Sequence, residues 1–121
     1  SGERRLLNFG HTLGHALEKY YGYTRLAHGY AVAAGMAMIT RASENRGLTA
    51  PGTYKRLCSL LKGLDLPVSD SAPLDKIISS VMLDKKMTGS HINLVLLREI
   101  GDAFVHKIEA ASLMDFLGDK A

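Results

Sequence analysis

From Ala31 to Ile39 the chain reads Ala-Val-Ala-Ala-Gly-Met-Ala-Met-Ile, apolar at every position and therefore apolar on every face of a helix. A helix at the surface of a globular protein keeps one polar side; a helix that is hydrophobic all round has to be covered on all sides. The pattern predicts a buried central helix starting near His28, running to about Asn45 and stopped by Gly47. The stretch is about half the length needed to cross a bilayer, so its neighbours must be protein, not lipid. With 121 residues, 46% of them hydrophobic, the chain can supply one core around it and is short for two domains.

The covering elements are legible from periodicity. A first helix is expected from about Arg4 to Tyr20, ending near Gly22, with Leu6, Phe9, Leu13, Leu17 and Tyr20 on its packing side. A third helix follows, with Thr49 as its N-cap, Pro51 in its first turn and Gly63 at its end, burying Tyr54, Leu57, Leu60 and Leu61. Leu66 to Ser71 reads as a linker. A fourth helix begins at Pro73, carries Leu74, Ile77, Ile78, Val81 and Met82 at helical spacing, and finishes around Asp84-Lys85-Lys86. The period then changes: Ile92–Leu97 and Ala103–Ile108, either side of Gly101-Asp102, predict a short β-hairpin, and Ala110–Leu117 a last helix. The fold class is mainly α, a multi-helix domain with a small β-hairpin.

The first helix carries the chemistry. At about 100° per residue, Arg4, Asn8, His11 and His15 share one narrow arc opposite the packing side. A solvated face is usually built from Lys and Glu, and this one has neither until Glu18. Gly10 and Gly14 lie beside the stripe, each costing about 1 kcal/mol relative to Ala, which implies close approach by another backbone or by a ligand. His11 and His15 have the i,i+4 spacing at which two imidazoles can reach one divalent ion. A zincin has Glu immediately after its first His; here Thr12 stands there, so a metalloprotease is excluded for want of a base. His28, at the start of the buried helix, follows a turn short enough to bring it back to the pair. Two histidines and a carboxylate from elsewhere would leave one coordination position open, the catalytic arrangement for zinc. His91 and His106 lack such company and read as surface or strand residues. Lys85 and Lys86 suit the C-terminal end of a helix with or without a function, whereas Arg4 heads the stripe, where its planar fork could hold a carboxylate or phosphate.

Net charge narrows the partners. At +3, with basic residues spread along the chain, the protein suits an anionic small molecule and offers no clustered patch for nucleic acid. No apolar run reaches membrane-spanning length, so no membrane partner is expected. The single cysteine, Cys58, excludes an internal disulfide and fits the reducing cytoplasm, and no secretory leader pattern is visible. Because the informative motif begins by Arg4, the chain is expected to be the later part of a longer protein.

These residues resemble a known family. Arg4-Arg5-Leu6-Leu7-Asn8-Phe9-Gly10-His11-Thr12-Leu13-Gly14-His15-Ala16-Leu17-Glu18, then His28-Gly29-Tyr30-Ala31-Val32-Ala33-Ala34-Gly35-Met36, and later Leu83-Asp84-Lys85-Lys86 and Leu94–Leu97, resemble 3-dehydroquinate synthase over essentially the whole chain. The resemblance implies that residues 1–121 are the C-terminal metal- and substrate-binding helical domain of the dehydroquinate synthase-like fold, paired with an N-terminal NAD-binding domain outside this chain. It implies conversion of 3-deoxy-D-arabino-heptulosonate 7-phosphate to 3-dehydroquinate and phosphate in the shikimate pathway, with NAD and Zn2+ or Co2+, by a cytoplasmic homodimer. By motif position, it makes His11 and His28 metal ligands and His15 a residue near the substrate phosphate, not a third ligand. Asn8 and Arg4 would contact substrate, Arg4 at its carboxylate, and Lys86 (ahead of Lys85) would meet one of its anionic groups. The third metal ligand, a glutamate, comes from the N-terminal domain in this family, so these 121 residues alone are expected to be inactive.

One position departs from the pattern: Tyr30 stands where many members have Glu after His-Gly. That residue is not a family metal ligand, so the reaction should be unaffected while the seating of the second helix could differ. The alternatives are a related sugar-phosphate cyclase such as 2-deoxy-scyllo-inosose synthase, from which Arg4 separates this chain, and a metal-dependent polyol or glycerol dehydrogenase, which lacks the full Asn-x-Gly-His-x-x-x-His arrangement.

Overall fold

The computed structural model describes residues 9–22, 28–88 and 91–118, with 83–88 described by their backbone. The described elements are α1 (His11–Tyr20), α2 (His28–Asn45), α3 (Thr53–Gly63), α4 (Leu74–Thr88), β1 (His91–Glu99), β2 (Asp102–Glu109), a 3-10 turn (Ala110–Ser112) and α5 (Leu113–Leu117). Helices dominate, with one antiparallel hairpin, as the periodicities predict.

Helix α2 is the hub. It packs against α1, α3, α5 and β1, and Ala31, Val32, Ala33, Ala34, Ala37 and Ile39 are all buried in the process. Its small side chains decide how closely the neighbours come. A Cβ on Gly35 would stand 2.5 Å from the Gly10 carbonyl oxygen and 2.8 Å from the Gly14 amide nitrogen, so the α1–α2 crossing is closed backbone to backbone. Gly10 and Gly14 thus serve a helix crossing, and Gly35 is the third member of it. Phe9, Leu13 and Leu17 face the core as expected, but Tyr20, placed on the same side by periodicity, is 44% exposed at the last turn, where the core no longer covers it.

The first helix also starts later than its pattern suggests. Gly10 adopts φ +80°, a left-handed conformation in which an L side chain is strained, and caps α1 at His11. A single helix running from Arg4 through Tyr20 is therefore incorrect; Arg4 to Asn8 lie outside the described residues.

The expected Thr49 cap is a second correction. Gly52, at φ +93°, precedes α3, while Thr49 is buried and bridges two elements: its hydroxyl donates to the Leu97 carbonyl at 2.6 Å and meets Ser43 Oγ at 2.5 Å. The Ala50 amide adds a bond to the Arg98 carbonyl, tying the α2–α3 connection to β1. On α3, Leu57 and Leu61 are buried and Tyr54 half-buried, but Leu60 is 52% exposed. Helix α4 buries Ile77, Ile78 and Val81 and continues to Thr88, past the expected stop at Lys86. In the hairpin, Ile92, Leu94 and Leu96 alternate into the core with Leu94 opposite His106, and Gly101 takes the positive φ of the turn.

Candidate metal centre

The two helices that cross at the glycines also deliver the histidines. Residues 11, 15 and 18 lie along one face of α1, because seven residues bring a helix back to within about 20° of its starting direction. His28 is the first residue of α2, beside that face.

The imidazoles of His11 and His28 stand 5.5 Å apart, centre to centre, with ring planes nearly perpendicular. His15 lies 6.3 Å from His11 and 6.4 Å from His28. Two imidazoles bound to one zinc, at about 2.0–2.1 Å each, have centres about 5 Å apart at a tetrahedral angle and about 6.4 Å apart when directly opposed. The His11–His28 span falls near the first value and both His15 spans at the second. Of the three separations, that of His11 and His28 is nearest to two imidazoles on one tetrahedral ion. Among the described residues, no three His, Cys, Asp or Glu side chains converge into a complete shell.

The electrostatics differ within the cluster. The His11 pKa is lowered from its ordinary value, first by partial burial and then by the neighbouring His28 and His15, with Glu18 opposing. His15 and His28 are largely exposed at the side chain, 66% and 58%, whereas Glu18 is 13% exposed. The Glu18 Oε1 atom accepts from His28 Nδ1 at 2.9 Å and stands 3.9 Å from His15 Nδ1, beyond hydrogen-bond reach. Glu18 was not among the sequence-derived site residues. The signal for it was its i+7 spacing from His11.

Of the remaining expected residues, Arg4 and Asn8 lie outside the described residues, and Lys86 is described only as part of the α4 backbone. Tyr30 is 47% exposed. His91 is exposed at the start of β1, and His106 stacks near Phe104 and Phe116 with no other histidine beside it. No helix among the described residues is long and apolar enough to cross a membrane.

Residues 1–87 match the family described as 3-dehydroquinate synthase C-terminal. The chain belongs to this family. It is 44% identical over 118 residues to the 3-dehydroquinate synthase of Clostridium acetobutylicum, covering 97% of this chain and 33% of that protein. The Streptococcus suis 3-dehydroquinate synthase is 38% identical over 118 residues, with the same coverage of 97% and 33%. The chain thus spans about a third of the length of these relatives. Among solved structures, a 2-deoxy-scyllo-inosose synthase complexed with carbaglucose-6-phosphate, NAD+ and Co2+ shares the fold at TM-score 0.74 and 18% identity, over 100% of this chain and 35% of that one. A 2-epi-5-epi-valiolone synthase from Streptomyces hygroscopicus subsp. jinggangensis, with NAD+ and Zn2+ bound, aligns at TM-score 0.73 and 25% identity, over 95% and 33%. The dehydroquinate synthase-like C-terminal fold expected for residues of this pattern is the one observed.

Proposed function

We propose that these 121 residues are the metal- and substrate-binding part of a 3-dehydroquinate synthase, an NAD- and divalent-metal-dependent lyase acting on 3-deoxy-D-arabino-heptulosonate 7-phosphate. The observation that carries the reading is the meeting of His11 and His28, from two helices, with ring centres 5.5 Å apart. The 44% identity to a clostridial 3-dehydroquinate synthase favours this enzyme over 2-deoxy-scyllo-inosose synthase, which fold likeness alone supports.

His11 and His28 would hold a zinc or cobalt ion, which when bound acts as a Lewis acid and orients substrate hydroxyls. The glycine crossing sets their separation, so the pair is spaced before the ion arrives. His15, whose side chain is 66% exposed, would donate a hydrogen bond to the substrate phosphate, the role the family pattern implies for it. Arg4 supplies a planar fork for the carboxylate, Asn8 an amide for a hydroxyl, and Lys86 a cation for an anionic group. The net charge of +3 suits so anionic a substrate. The family pattern assigns NAD binding and the third metal ligand, a glutamate, to a partner N-terminal domain, and the working enzyme would be a cytoplasmic homodimer.

Zinc titration by calorimetry at about pH 7.5, above the histidine range near 6.5, tests the reading. Weak binding of one ion per chain is expected, sharply weakened by His11→Ala or His28→Ala and unaffected by His15→Ala. Binding that survives replacement of both His11 and His28 would contradict it.

A further inference from the structure

Glu18 is the more withdrawn side chain of its pair with His28. Its side chain is 13% exposed, beside a His28 side chain that is 58% exposed, and a carboxylate withdrawn from water needs a donor. The donor is His28: Nδ1 lies 2.9 Å from Oε1, a contact between α1 and α2 across ten residues of sequence. An ionised carboxylate only accepts, so the shared hydrogen sits on Nδ1 and the lone pair of the neutral ring is on Nε2. The same oxygen is 3.9 Å from His15 Nδ1, too far for a hydrogen bond, so of the two exposed imidazoles it holds His28. Helix α1 therefore carries both His11 and the group that grips the other member of the pair.

We infer that Glu18 is a positioning residue, which fixes the orientation and tautomer of His28 so that Nε2 is the nitrogen offered to an ion shared with His11. The inference rests on the metal reading above. Metal-binding histidines characteristically donate their second ring N–H to a carboxylate or carbonyl, and loss of such a partner costs about 10–100-fold in metal affinity. Here the partner would also reduce the entropy lost when an otherwise exposed ring is ordered on binding.

Long-range nitrogen–proton correlation spectra of the metal-free chain, recorded well above the histidine range near pH 6.5, read the tautomer directly. The wild-type chain should show His28 protonated on Nδ1. Glu18→Ala, and Glu18→Met as a variant that keeps the buried volume, should release the ring to the Nε2-protonated form that free imidazole prefers. Zinc affinity should fall about 10–100-fold in both variants while one ion per chain still binds. A wild-type His28 without a proton on Nδ1, an unaltered tautomer in the variants, or an unaltered zinc affinity would each overturn the role of Glu18. Absence of zinc binding by the wild-type chain would instead contradict the metal reading, and the tautomer spectra would still decide whether Glu18 holds His28.

Discussion

Crowding three imidazoles within 6.4 Å of one another disfavours charge on the most buried of them. His11 carries the cost, its pKa lowered chiefly by burial and then by His28 and His15. A group whose pKa is lower folded than unfolded binds fewer protons in the native state. Its contribution to stability is complete above the unfolded value near 6.5 and is lost as pH falls through the lowered folded value. Unfolding free energy from urea titrations should therefore decline below about pH 6.5, and His11→Asn should flatten that decline. An equal decline in the variant would show that other groups set it. Glu18 belongs to the same scale. The face through His11 and His15 was legible because two imidazoles one turn apart are unusual on a solvated face. Glu18 continues that face, yet a glutamate on a helix surface is common enough to pass unread.

At the scale of elements, the site depends on how closely α1 and α2 approach. Gly35→Ala would drive a methyl group into the Gly10 carbonyl and the Gly14 amide, both backbone atoms that cannot swing aside. We expect a loss of about 1–3 kcal/mol in denaturant titration, the usual penalty for overpacking, together with weaker zinc binding as the histidines are spread. Unchanged stability would mean that the crossing is looser than described. The close crossing was half legible: Gly10 and Gly14 marked a near approach by something, and Gly35 was hidden in an apolar run. Helix boundaries were less readable for a physical reason. Gly10 sets the start of α1 through a positive φ that no side-chain pattern encodes. Thr49 looks like a cap by type and position, but a hydrogen bond to Leu97, 48 residues away, claims its hydroxyl. Leu60 and Tyr20 keep helical spacing where the core happens to end.

For the whole molecule, the buried hub was the most legible feature, since a helix apolar on every face admits only a central place. The surrounding contacts are largely between consecutive elements, α1 with α2, α2 with α3 and β1 with β2, so these 121 residues should fold by themselves. Folding is not activity. The chain spans about a third of its relatives, 33% of the clostridial enzyme, and holds two of the ligands proposed for the ion. We expect no phosphate release from 3-deoxy-D-arabino-heptulosonate 7-phosphate by the 121-residue chain supplied with NAD and zinc; measurable turnover would refute the division of labour proposed for it. The central claim is that His11 and His28 share one ion, and X-ray absorption at the zinc edge of the loaded chain tests it most directly. The account predicts two imidazole nitrogens at about 2.0–2.1 Å with oxygen completing the shell, unchanged in His15→Ala and reduced to one imidazole in His28→Ala. A shell without imidazole, or one that loses a nitrogen only when His15 is replaced, would contradict it.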